Sequence, residues 1–201
     1  MTLRERKHQV VDRSDGRATH LRHTLLASSR ETLRRLGHFE RYEALLGGDA
    51  RSSLREIAMT PGWASIDHGV AHYAACDALG LTQEQLLEVG RAVGARIRGT
   101  ALGTLARLAA RGGVGPWTPR GQLDKLVARM CRGGSVRVFR EGPKNALVEL
   151  GDNPIWGFDF CAYGMGGILE AVSITFTRRV DWEVSPPTLR GDGRRYALAW
   201  V

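Results

Sequence analysis

Val136-Arg137-Val138-Phe139-Arg140, the break Glu141-Gly142-Pro143, and Ala146-Leu147-Val148-Glu149-Leu150 set apolar residues at every second position on either side of a glycine-proline turn. That alternation predicts a β-hairpin. In the stretch from Trp156 to about Thr175, Phe158, Cys161, Met165, Ile168 and Val172 fall on a helical stripe, and the only charges are Asp159 and Glu170. A helix so apolar belongs between layers, buried on more than one side. Val180-Asp181-Trp182-Glu183-Val184, a Pro186-Pro187 loop, and Tyr196, Leu198 and Trp200 at alternate positions make a second hairpin. With a helix from about Pro119 to Arg132 ahead of it, the segment 117–201 reads α-β-β-α-β-β. The expected fold class is α+β, with a four-stranded antiparallel sheet.

Upstream the rhythm is helical. Leu21, Leu25, Leu26, Leu33 and Leu36 step by three and four between Arg17 and Leu36, and two shorter helical runs follow before Pro61-Gly62. Ser65-Ile66-Asp67 can cap a helix running to about Leu79, and Thr82-Gln83-Glu84-Gln85 is a capping-box pattern opening the next, from Gln83 to about Arg111. That helix holds Gly90, Gly94, Gly99 and Gly103, which together cost about 3–4 kcal/mol relative to alanine. Their four-residue steps leave bare backbone on which another helix can pack; a kink is the competing explanation. The expected organisation is a flexible basic leader, 1–20, then a single domain, 21–201, helical over 21–112 and sheet-containing over 117–201.

The 201 residues carry 29 basic and 21 acidic side chains, a net charge of +8. Residues 1–41 hold 10 basic and 5 acidic groups, 42–114 hold 7 and 7, and 115–201 hold 12 and 9, so the middle is neutral. The N-terminal excess can touch phosphates, but with no aromatic before Phe39 it lacks stacking groups. No apolar run approaches the ~20 residues of a membrane span, and the opening is too charged for a signal peptide, which points to the cytoplasm. Cys76, Cys131 and Cys161 are scattered and odd in number, against both a disulfide framework and a zinc knuckle, and read as reduced, buried thiols.

The helices followed by hairpin, apolar helix and hairpin resemble the superfamily of haem-nitric-oxide-binding domains, 4-vinyl-reductase-type ligand-binding domains and TRAPP vesicle-tethering subunits. Leu87-Glu88-Val89-Gly90-Arg91-Ala92-Val93-Gly94 looks like its glycine-containing helix, and Phe160-Cys161-Ala162-Tyr163-Gly164-Met165-Gly166-Gly167-Ile168-Leu169-Glu170 like the helix between its hairpins. His72-Tyr73-Ala74-Ala75-Cys76-Asp77-Ala78-Leu79 and Gly142-Pro143-Lys144-Asn145-Ala146 are similar to a bacterial family of about this length with no assigned activity. The resemblance implies a sheet packed on helices, an internal pocket or dimer interface, and a sensory, regulatory or scaffolding role. The haem branch takes its proximal histidine from the helix before the first hairpin. Here all six histidines precede position 73 and no Tyr-x-Ser-x-Arg clamp occurs, so no haem, and no other cofactor, is expected.

Four site readings follow. An apolar small molecule or a protein partner, a second copy of the chain included, is expected at a pocket walled by Val93, Ile97, Trp156, Phe158, Phe160 and Met165. His68 and His72, four apart on one helix, are within reach of a single zinc ion, with no complete ligand set in view; the alternative is that Ile66, Val70, Tyr73 and Ala74 face the core while the two histidines lie at its margin. Arg178, Arg179, Arg190, Arg194 and Arg195 gather at the ends of the last two strands as an anion or acidic-partner contact, or as a charged rim on the sheet edge. Nucleic acid on the Arg-rich N-terminus is the rival from another class. No residue stands out as catalytic, since Gly-x-Ser-x-Gly is absent and Gly164-Met165-Gly166-Gly167 is not followed by the Lys-Ser/Thr of a phosphate loop.

Overall fold

A computed structural model of the chain describes residues 8–98, 115, 117, 121 and 123–201. The class is α+β. Strands β1 (His8–Ser14), β2 (His20–Arg22), β3 (Trp63–Ser65), β4 (Cys131–Arg132), β5 (Ser135–Gly142), β6 (Asn145–Gly151), β7 (Val180–Val184) and β8 (Arg194–Trp200) form two antiparallel sheets, ordered β1-β5-β6-β8-β7 and β3-β2-β4. The helices are α1 (His23–Arg35), α2 (Phe39–Leu45), α3 (Gly48–Met59), α4 (Ile66–Asp77), α5 (Gln83–Arg98), α6 (Leu123–Met130) and α7 (Asp159–Ser173), with a 3-10 turn at Pro154–Gly157. No helix among the described residues is long and apolar enough to cross a membrane.

Both hairpins and the helix between them stand where the alternation and the apolar stripe predicted them. The main sheet nevertheless has five strands, because the segment expected as a flexible leader supplies β1. Val11 is buried opposite Val138, while Asp12 lies across from Arg137. The open edge of β5 takes a partner whose one inward apolar side chain suits the core and whose polar neighbours suit solvent. The small sheet has no counterpart in the sequence reading. Its strands are two or three residues long, too short to carry a period-two signal.

Local signals position the rest. The Ser65 hydroxyl accepts the Asp67 amide and caps α4. Thr82 and Gln85 exchange both capping-box hydrogen bonds, Thr82 N–H to Gln85 Oε1 at 2.9 Å and Gln85 N–H to Thr82 Oγ1 at 3.4 Å. The start of α7 is held from outside: the Asp77 carboxylate accepts the amides of Asp159 at 3.0 Å and Phe160 at 2.7 Å. Burial pushes the Asp77 carboxyl up, and the two amides act in the opposite direction.

Gly90 and Gly94 lay their backbone against α7, as helix packing requires. A Cβ on Gly90 would land on the Gly164 carbonyl oxygen, and one on Gly94 would stand 2.5 Å from the Ala171 Cβ. From the other side, a Cβ on Gly167 would sit 2.6 Å from the Leu87 carbonyl oxygen, and Gly166 makes room for the Trp182 ring. Gly99 and Gly103 lie outside the described residues.

Candidate functional site

Between α1, α4, α5, α7, the 3-10 turn and the α6–β4 junction lies a cavity of about 40 Å³. Val93, Trp156, Phe160 and Met165 line it, as do Leu25, Val89, Met130, Ile155 and Ile168. Phe158 does not: it packs half-buried on the outside of the core, where the chain leaves the 3-10 turn for α7. The side chain of Ile97 lies outside the described residues. The close approach of α5 and α7 along Gly90 and Gly164 brings backbone to the cavity wall.

Its polar groups are Ser29, Tyr73, Cys131 and Cys161. All three cysteines are free and buried. Burial pushes the Cys161 thiol and the Tyr73 phenol well up, and the two share a hydrogen bond. Cys131 is pushed up to about 12 by burial, against a hydrogen bond that Asn153 Nδ2 donates to its sulfur at 3.6 Å. The polar wall is therefore neutral at physiological pH, made of protonated thiols and hydroxyls. A thiolate nucleophile needs the opposite environment.

Behind this wall sits a buried histidine. The sequence placed His68 and His72 at the core margin with Ile66, Val70, Tyr73 and Ala74 facing inward. Instead α4 buries Gly69, His72, Tyr73, Ala75 and Cys76, while Ala74 is exposed. Gly69 explains the rotation, since a Cβ there would strike Leu21, so this face can press directly on β2. His72 is fully buried, with Nδ1 2.7 Å from the Tyr42 hydroxyl and Nε2 2.9 Å from the Ser29 hydroxyl. Burial, aided by the nearby Arg30 guanidinium, lowers its pKa to about 3, so the ring is neutral.

That arrangement does not suit zinc. Both nitrogens of His72 are engaged, and His68 is half-buried with an unpartnered Nδ1. A metal on the pair would have to strip His72 of Tyr42 and Ser29. Among the described residues, no group of three or more His, Cys, Asp or Glu side chains is placed to hold an ion.

The five arginines do not gather. Strand register sets Val180 opposite Trp200 and Val184 opposite Tyr196. Arg178 and Arg179 thus stand at the end of β8, bonded through backbone to Val201, while Arg194 and Arg195 begin that strand, about 20 Å away at 3.4 Å per residue. Arg190 is exposed in the connecting loop, on the Arg194 side. Arg179 pairs with Asp181 and Arg195 with Glu149. Arg194 is a core pillar at 4% exposure. It donates to the carbonyls of Trp156 at 2.8 Å, Ser185 at 3.0 Å and Gly157 at 3.2 Å, and to Asp159 Oδ1 at 2.7 Å. The guanidinium fixes the 3-10 turn that carries the cavity wall Trp156.

Sequence reasoning missed Tyr42 and Ser29 as polar neighbours of the site, while Tyr73 was read as inward-facing and is buried. For the burial of Arg194 a signal was present: extending the Tyr196, Leu198, Trp200 phase back by two residues points it inward, matching the strict burial alternation of β8. Compared with known proteins, the chain matches no family model and no curated protein.

Proposed function

We propose that this chain is a non-enzymatic regulatory or scaffold module of the cytoplasm, acting as a homodimer, that takes a small apolar molecule into the cavity between its helices and β4. The observation that carries the reading is the wall itself: aliphatic and aromatic side chains closed by thiols and hydroxyls that burial keeps uncharged. Such a wall favours a neutral guest with little hydrogen-bonding demand.

Size limits the guest. An engineered cavity of about 150 Å³ lined by Leu, Ile and Phe binds benzene, so a void of about 40 Å³ accepts a xenon-sized guest as it stands. A ring-sized guest requires Met130 and Met165 to swing aside, which unbranched methionine does readily. The test combines native mass spectrometry of freshly purified protein with thermal unfolding under xenon or benzene. The expected result is a dimer, with a melting temperature raised by roughly 5–10 °C at a hundredfold excess over Kd. The rise should vanish in Cys161→Met, which fills the void. A bare monomer with no response to either probe, or an undiminished response in a folded Cys161→Met variant, overturns the reading.

A further inference from the structure

The small sheet has an inner and an outer face. Leu21, Ala64 and Cys131 point inward and are buried, so their neighbours His20, Arg22, Trp63, Ser65 and Arg132 stand on the outer face. Register sets Arg22 beside Trp63, and His20 between Ser65 and Arg132. The guanidinium carbons of Arg22 and Arg132 lie 4.1 and 4.6 Å from the centre of the Trp63 ring, so one indole carries two cations. Nine other arginines among the described residues meet a carboxylate. These two do not: Arg22 Nε donates to the Arg129 carbonyl, and Arg132 has no carboxylate partner among the described residues. The acidic residue beside β3, Asp67, is engaged by Ser65 at the start of α4.

We infer that this face binds single-stranded nucleic acid, its phosphates on the Arg22 and Arg132 forks and a base stacked on the guanidinium–indole layer. Two like charges held on one ring repel, and phosphates seated on their planar donor forks remove that repulsion. Guanidinium planes and aromatic rings are the groups on which unpaired bases stack, and a duplex does not offer them. The whole-chain charge of +8 is complementary to a polyanion. Three strands about 4.8 Å apart make a platform roughly 10 Å across, the span of two or three nucleotides. The N-terminal basic segment lacked a stacking partner in the sequence, and the fold supplies one from forty residues downstream. This surface is separate from the cavity and stands whether or not the cavity takes a guest.

The test is fluorescence anisotropy of the full chain with a labelled twelve-residue oligothymidylate, its duplex form, and polyglutamate as competitor, from 25 to 200 mM salt. The expected log–log salt slope is about −1.4 to −2, from two or three phosphates on a single strand. Arg22→Gln with Arg132→Gln should weaken binding at least ~tenfold. Trp63→Leu should weaken it by a similar factor while leaving the slope in place, which a purely electrostatic patch would not do. An Arg22→Lys, Arg132→Lys variant keeps the charge and guards against misfolding: it should retain the slope and lose affinity. Equal affinity for duplex, equal displacement by polyglutamate, which would mark an acidic protein partner, or unchanged binding in a folded Arg22→Gln, Arg132→Gln variant each overturns the assignment.

Discussion

Gly167→Ala and Gly164→Ala are the same chemical change on one helix, and the packing of α5 on α7 requires them to act in opposite directions. In an exposed helix interior, alanine stabilises by about 1 kcal/mol over glycine. Gly164 has room for it, since a Cβ there meets nothing within 4 Å. At Gly167 a Cβ would stand 2.6 Å from the Leu87 carbonyl oxygen, 2.8 Å from the Arg91 nitrogen and 2.9 Å from the Gly90 Cα. All three are backbone atoms of α5, so no side chain can rotate away, and α5 must retreat until the shortest contact reaches about 3.4 Å. Overpacking of this kind costs roughly 1–3 kcal/mol or more, which outweighs the propensity gain. Both variants gain the propensity term, so the expected gap between them is the overpacking cost itself, about 1–3 kcal/mol or more, or roughly 2–12 °C in melting temperature for a chain of this size. Urea titration checks it, with midpoints moving apart at unchanged m. If Gly167→Ala proves as stable as Gly164→Ala, the glycines are not what brings these helices together and the packing argument fails.

Three further outcomes follow from buried groups. His72 is neutral in the fold with a pKa lowered to about 3, whereas the unfolded chain protonates it below pH 6.5. The unfolded state therefore binds the extra proton, and stability present above pH 6.5 is lost as pH falls toward 3, by about 1.4 kcal/mol per unit once below 6.5; urea midpoints at pH 7, 5.5 and 4.5 should fall more steeply for the wild type than for His72→Gln, and equal slopes refute the assignment. Arg194→Met leaves three carbonyls without their donor in a site where the side chain is 4% exposed, and should cost about 3–5 kcal/mol, against about 0.5 kcal/mol for Arg195→Met at its exposed pair with Glu149. With Cys131 pushed up to about 12 and Cys76 and Cys161 raised by burial, all three thiols should stay silent to a disulfide reagent at pH 8 and react together in guanidinium; one fast thiol in the native protein would contradict the neutral wall.

What the sequence disclosed is what short-range physics controls. Alternation predicted both hairpins, Ser65 and Thr82–Gln85 their caps, and the four-residue step from Gly90 to Gly94 a helix contact, because each depends on residues within a turn or two. The misses need long-range information. Strand β1 pairs with β5 more than a hundred residues away, and nothing within His8–Ser14 specifies that partner. The small sheet joins three short segments that lie more than forty residues apart in the chain. His72 looked like a margin residue because its burial depends on Tyr42 and Ser29, placed by two other helices. The cavity walls Phe160 and Met165 were legible because a buried apolar helix must face something apolar; Phe158 was not, because the 3-10 turn at Pro154–Gly157 breaks the helical phase that seemed to include it.

Counting charges gave a basic protein; the fold decides which of those charges another molecule can meet. Arg30 and Arg194 are inside it: Arg30 donates to the Leu54 carbonyl and to Glu43 at 3.0 Å, and Arg194 to three carbonyls and Asp159. Their charge is used by the protein's own acceptors and contributes little field outside. Arg137 and Arg195 share Glu149, and Arg91 is divided between Glu84 and Glu170, so these cations are largely answered at the surface. Around the cavity the ionisable side chains are held neutral, which leaves its interior without charge at all. A positive field that a partner can use must come from arginines with neither a carboxylate nor a ring of backbone oxygens. Arg22 on β2 and Arg132 on β4 are among those that meet that condition, and Trp63 beside them adds the flat surface that distinguishes a base from a bare anion.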